Sequence, residues 1–289
     1  MHAVFIIAHP DDEIFASNLL KVFSDAETYQ VSIVTVTDGG GGGLLGDPPL
    51  TTEEQLGTYR KKELTDSLSQ YEIDALHILD YEDKGRSHSK KNKLDNSKLD
   101  HCLRETVKEL QPQIIVSHGS DGEYGHPMHV AIHRSILRLA TPGKHVLLSF
   151  WANAGYNVFD EETNRPDIAD FTICSSAYPA HKEASIRAHQ TQWQYFAGPC
   201  PSNDAYLEAI RSYAASHACE SYKIVCGKGQ QADQMLTDIK KANNFTLSVQ
   251  GRLEYIQTLL ITAIWRIVNM LQDLRYKIGL RTRIKRFFS

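Results

Sequence analysis

Two short stretches of this chain concentrate groups that can do chemistry. One is Ala8-His9-Pro10-Asp11-Asp12-Glu13, and the other is Gly122-Glu123-Tyr124-Gly125-His126-Pro127-Met128-His129. An imidazole and a carboxylate three residues apart at a strand end, as in the first stretch, can converge on one cation. His126 and His129 are spaced i, i+3, so on a helix they share a side, and His133 lies a further turn along. Two nitrogens and one oxygen, with water in the open position, make the donor set of a catalytic zinc site. Each stretch also has a plainer reading. Asp11, Asp12 and Glu13 behind Pro10 suit a well-capped helix start, and a lone helical histidine is ordinarily a surface or satisfied core residue. Their occurrence together, after two apolar strands, is what points to a metal.

The elements that must position these groups follow from the hydrophobic pattern. AVFIIA (3–8), VSIVTVT (31–37), ALHIL (75–79) and QIIVS (113–117) are short apolar, β-branched runs of strand type. Helical segments are expected at 10–24, from the capping-box signature Thr51-x-x-Glu54 through Gln70, at 98–110 and at 126–139. Strands alternating with helices give an α/β fold, a Rossmann-like, mostly parallel sheet with helices on both faces. Ligands in such sheets bind beyond the carboxyl ends of the strands, where both stretches fall. Past residue 146, VLLSFWA, DFTICS and SYKIVC are expected strands, with helices at 179–196 and 203–216. The expected division is a domain over 1–226 and a basic helical C-terminal extension over 227–289, in which 252–289 is the appended helical part.

Composition narrows the class. The 289 residues, 42% hydrophobic and 23% charged, can bury a sizeable core, which excludes a disordered chain or a multi-span membrane protein. All 35 acidic residues lie at or before Asp273. The body therefore sets 25 basic against 35 acidic residues, a charge of −10, and the last fifteen residues carry +6. An acidic body argues against nucleic-acid binding. Five cysteines with no C-x-x-C pair argue against a disulfide scaffold and for a reducing, cytoplasmic setting, with the cysteines as buried small hydrophobes. The N-terminus has no basic segment ahead of an apolar run, unlike a signal peptide.

AHPDDE followed by GHPxH resembles the PIG-L/LmbE family of metal-dependent N-deacetylases. Thr37-Asp38-Gly39, Arg60-x-x-Glu63, KEASIRAHQTQ (182–192) and Ala218-x-Glu220-x-Tyr222 match further family motifs, and the resemblance covers roughly residues 1–226. It implies that His9, Asp12 and His129 hold the metal, zinc or iron(II), and that Asp11 is the general base. It makes His126 the group that stabilises or protonates the tetrahedral intermediate, Tyr124 the counterpart of a mobile tyrosine that polarises the amide carbonyl, and Arg60 a substrate-binding arginine. The implied activity is removal of the N-acetyl group from an N-acetylglucosamine-type conjugate, a small molecule or a lipid-linked sugar. Two other readings stand beside it: an amidase acting on a larger sugar conjugate, and a non-catalytic glycan-binding module. Asp11 and His126 speak against the last, since a binder needs neither.

Several features carry less. The five glycines at 39–43 depart from the family and lack the Gly-Lys-Ser/Thr ending of a phosphate loop, leaving a flexible rim to the site. His189 and Gln192 are either supporting groups of the site or part of a surface helix face. Residues 253–271 are apolar, but Glu254 and Arg266 interrupt them, and a central arginine costs about 2.5–3.5 kcal/mol in a bilayer. The basic, aromatic end that follows suits an anionic membrane surface, and equally a helix packed on the acidic body or a partner surface.

Overall fold

The computed structural model describes residues 1–44, 49–79, 81, 95–151 and 169–249. At its centre lies β1 (His2–Ile7), buried from Ala3 onward, as an uninterrupted apolar strand must be. β1 pairs in parallel with β2 (Gln30–Thr35) on one side and with β4 (Ile114–Ser117) on the other. β3 (Ala75–Ile78) extends the sheet beyond β2, and β5 (Val146–Trp151) extends it beyond β4, both in parallel. Alternate residues of β1 feed two cores. Ala3, Phe5 and Ile7 pack with residues such as Leu20 of α1 (Ser17–Ser24) and Leu64 of α2 (Leu56–Leu68). Val4 and Ile6 pack with Leu103 of α3 (Asn96–Leu110) and, past the short α4 (Gly122–Gly125), with Ile132 and Ile136 of α5 (Pro127–Leu139). Helices cover both faces, as expected.

Beyond β5 the sheet changes character. β6 (Phe171–Ser175) leads into α6 (Ala180–Ala188), α7 (Trp193–Ala197) and α8 (Asn203–Ser216) before β7 (Cys219–Cys226) returns. β7 runs antiparallel to both β5 and β6. After α9 (Gln230–Lys241), β8 (Phe245–Val249) completes the order β3-β2-β1-β4-β5-β7-β6-β8.

Five expectations need correction. The compact unit runs Met1–Ser248, beyond residue 226, because Ala232, Met235 and Ile239 on one face of α9 enter the same core as Phe171 and Tyr222. The later tail, 250–289, lies outside the described residues. Cys174 and Cys219 are bonded to each other, because β6 and β7 place them opposite one another in register; the free cysteines 102, 200 and 226 are half-buried rather than buried. The capping box at Thr51 does not form, and α2 starts five residues later with no side-chain cap. Its first turn instead meets Asp38, whose carboxylate packs so closely on Gly57 that a Cβ there would lie 2.1 Å from an oxygen. Finally, the segment after β1 is a 3₁₀ turn over Asp12–Ala16 before α1 begins. The expected helix at 179–196 is likewise broken by a 3₁₀ turn, Gln190–Gln192.

Candidate active site

In the order β3-β2-β1-β4-β5, the chain runs outward from β1 through β2 to β3 and then crosses over to β4 and β5 on the other side, so the strand order reverses between β1 and β4 and opens a crevice beyond their ends. His9, Asp11 and Asp12 follow β1, Thr37-Asp38-Gly39 follow β2, and His118 to His129 follow β4. In the crevice, His9 Nδ1 and His129 Nε2 are 3.2 Å apart. Asp12 Oδ2 lies 3.3 Å from His9 Nδ1 and 3.4 Å from His129 Nε2. Tetrahedral ligands about 2.0–2.1 Å from a zinc ion are separated by about 3.3–3.4 Å. The three buried donors therefore have the spacing one ion requires. Two overlapping ligand triads meet here, His9–His126–His129 and Asp12–His118–His129.

The surroundings sort those candidates. His118 Nε2 accepts the Ala8 backbone N–H at 2.9 Å and its Nδ1 is 3.0 Å from Glu123 Oε2, so both nitrogens are committed and His118 is a wedge rather than a ligand. Its ring stacks on His129 with centroids 4.0 Å apart. His129 Nδ1 lies 2.5 Å from the same Glu123 oxygen. Donation from Nδ1 to that carboxylate fixes the tautomer and leaves the Nε2 lone pair facing the crevice. Burial would raise Glu123, but His118 and His129 hold its carboxyl down at about 2. Asp12 is treated alike: burial raises it, while His129, the His9 hydrogen bond and His118 bring it well below the ordinary range.

Asp11, one residue away, is pushed the other way. Burial, only partly offset by Arg60, with Asp12 adding to it, raises its carboxyl to about 6. Its backbone is left-handed, φ 106°, which is costly for a residue with a Cβ. Arg60 Nη2 is 3.0 Å from Asp11 Oδ2 and also donates to the Pro10 carbonyl, while Nη1 donates to the Gly39 carbonyl at 2.9 Å. Gly39 has φ 73°, and a Cβ there would lie 2.5 Å from Nη1. The glycine loop thus makes room for a guanidinium that is only 4% exposed. His126 caps α5, its Nδ1 accepting from the Met128 backbone N–H at 3.3 Å. A neutral ring so used carries its proton on Nε2, which makes His126 a donor. Tyr124 sits on α4, and its side chain lies outside the described residues.

Sequence patterning alone does not mark His118 and Glu123 as site residues. His118 stands where His9 does, at the first position past an apolar strand, and that placement was the available signal. His189 and Gln192 are both buried, which removes the surface reading.

The PIG-L model, described as GlcNAc-PI de-N-acetylase, matches residues 4–140. A 1D-myo-inositol 2-acetamido-2-deoxy-alpha-D-glucopyranoside deacetylase of Corynebacterium diphtheriae is 30% identical over 225 residues, 66% of this chain and 75% of the relative. The chain belongs to the PIG-L family. It is accordingly a hydrolytic N-deacetylase in class. Solved structures agree on the fold. N,N'-diacetylchitobiose deacetylase from Pyrococcus horikoshii superposes with a TM-score of 0.54 at 16% identity, over 78% of this chain and 83% of its own. The 4-carboxy-2-hydroxymuconate hydratase GalB of Pseudomonas putida KT2440 scores 0.51 at 15% identity, over 79% and 98%. One fold thus carries deacetylases and a hydratase, so the reaction must be read from the side chains.

Proposed function

We propose that this PIG-L member removes the acetyl group from an N-acetylglucosamine-type conjugate, with His9, Asp12 and His129 holding one zinc ion and Asp11 as general base. The observation that carries this reading is the donor triangle of 3.2–3.4 Å with a raised carboxyl beside it. A bound divalent ion would supply Lewis acidity, lowering the pKa of water to about 7 and polarising the amide carbonyl. Asp11 accepts a proton at its carboxylate, and a pKa of about 6 suits a base that must later return it near neutral pH. His126, with its proton on Nε2, donates to the developing oxyanion or to the leaving amine. Arg60, expected to bind substrate, is placed to orient Asp11. The relatives' names support an inositol-linked N-acetylglucosamine as substrate.

The test is acetate release across N-acetylated sugars, free, inositol-linked and lipid-linked, with metal content measured on the same sample. Release from an N-acetylglucosamine conjugate at about one metal per chain is expected. Fully loaded protein that releases acetate from none of them would overturn the reading.

No helix among the described residues is long and apolar enough to cross a membrane. The +6 end supports a peripheral contact with an anionic cytoplasmic membrane face, roughly 1 kcal/mol per basic residue near the lipid. The Cys174–Cys219 bond weighs toward an oxidising compartment instead. Thiol titration of natively isolated protein decides between the compartments. Co-sedimentation of the full chain and a 1–250 truncation with phosphatidylglycerol vesicles tests the contact; equal binding by both would remove it.

A further inference from the structure

Asp11 holds a backbone conformation that its own side chain disfavours, and a buried polar assembly surrounds it. Glu13 Oε2 accepts the Asp11 backbone N–H at 3.0 Å. Its other oxygen, Oε1, accepts from Ser67 Oγ at 2.6 Å and meets His189 Nε2 at 2.5 Å. Glu13, Ser67 and His189 are all at most 1% exposed. The turn after His189 is tied down separately, since Glu63 accepts from both the backbone N–H and the hydroxyl of Thr191, at 2.7 and 2.6 Å. Arg60, Glu63 and Ser67 are spaced i, i+3, i+7 on α2, so one buried helical face supplies all three contacts. A buried helix face is ordinarily apolar. This one is built from an arginine, a glutamate and a serine, and each bonds a group at or within two residues of Asp11, Glu13 or His189.

We propose that Glu13 and His189 are positioning residues for Asp11: with Ser67 they form a brace that holds the base in its left-handed backbone conformation. Strain of this kind persists only where the surroundings over-determine it. Without the brace, the backbone at Asp11 relaxes toward an ordinary conformation and its carboxylate leaves the place from which it can reach a proton. The inference rests on the reading of Asp11 as the base, and it explains why residues from α2 and from beyond α6 converge on β1's end.

The test compares metal-loaded variants. Asp11→Asn comes first, and turnover retained there would sink the base reading itself. With that variant inactive, Glu13→Gln and His189→Ala should each lose on the order of 10²-fold in kcat, the cost of a small misplacement, with KM and metal content unchanged. His189→Gln, which keeps an N–H donor for Glu13, should recover most of the loss. Unaltered kcat in Glu13→Gln and His189→Ala beside an inactive Asp11→Asn would overturn the brace and leave the base. Metal lost from Glu13→Gln would also overturn it, by showing that Glu13 serves Asp12. Should Glu13→Gln not fold, the two His189 variants decide.

A second readout needs no catalysis. In metal-free protein, Asp11→Gly should melt about 2–4 °C higher than Asp11→Asn, because glycine accepts positive φ without steric cost. That gain should vanish in the Glu13→Gln or His189→Ala background, where the backbone is free to relax. The same gain in all backgrounds, or none in the parent, would overturn the brace.

Discussion

The two walls of the crevice work differently. The wall built on β1 and β4 presents lone pairs: His9, Asp12 and His129 aim donor atoms at one point. Among the described residues, the wall built from α2 and the excursion between β6 and β7 presents no ligand; His189 and Ser67 hold Glu13 of the first wall, while Thr191 ties the excursion to Glu63 of α2. Asp11 and Asp12 sit at the seam, and their surroundings drive them apart, one carboxyl up to about 6 and the other well below its ordinary range. Under the proposed function, two adjacent carboxylates thereby take two roles, Asp12 as ligand and Asp11 as base. The lesson is that charge on the ligand wall is compensated locally by histidines, whereas the base is left poised between protonation states.

The sharpest way to break this contrast is His129→Ala, which should abolish both metal retention and turnover with the fold intact, as read by elemental analysis and circular dichroism. Stoichiometric metal in that variant would dissolve the distinction between the walls. Asp11→Asn should keep the metal and lose about 10²–10⁴-fold in kcat. It should also change the acid profile of the metal-free protein. A carboxyl raised in the folded state binds its proton more tightly there, so stability falls as pH rises from about 3.8 to about 6. Asparagine removes that slope and should leave the metal-free protein roughly 2–3 kcal/mol more stable at pH 7; urea titrations at pH 4 and pH 7 measure it.

Glu123→Gln tests the compensation on the ligand wall. Loss of a carboxylate that orients a ligating histidine should weaken metal affinity about 10–100-fold, measurable by competition with a chelator. The sign with pH is opposite to that of Asp11. Glu123's depressed carboxyl contributes stability that is full above about 4.5 and is lost as pH falls toward about 2, and the glutamine variant should lack that loss. The smallest effect on chemistry belongs to the second wall's base. Cys174→Ser opens the bond between β6 and β7, and should cost about 2–4 kcal/mol in denaturant unfolding while kcat per folded molecule stays the same. A large change in kcat there would tie the disulfide to the brace.

What the sequence made legible follows the same divide. The ligand wall sits directly behind apolar strands at 3–8 and 113–117, so its groups stand next to a recognisable signal. Glu123 escaped notice because its role depends on two rings, His118 and His129, that only the fold places side by side. The second wall was harder. The register that pairs Cys174 with Cys219 spans 45 residues, and no local pattern records it. The capping box at Thr51 is a sound local signal that the fold leaves unused: α2 begins at Leu56, and Asp38 from another loop packs on its first turn. Helix α9 carries its own amphipathic pattern, but the strand it precedes joins the sheet at the far edge from β1.

His9 and Asp12 belong to one end of the chain and His129 to its middle, and β1 and β4 join them only by pairing Ala3 with Ile114 through Ile6 with Ser117. The shortest segment that contains all three donors runs from His9 to His129, 121 residues. An unfolded chain keeps at most the His9–Asp12 half, and for it a metal is a weak and transient partner. Occupancy is therefore a property of the assembled sheet, and each ion bound shifts the balance between folded and unfolded chains by mass action. On the proposed metal reading, the supply of that ion would set how much of the chain survives quality control as well as what fraction of it is active.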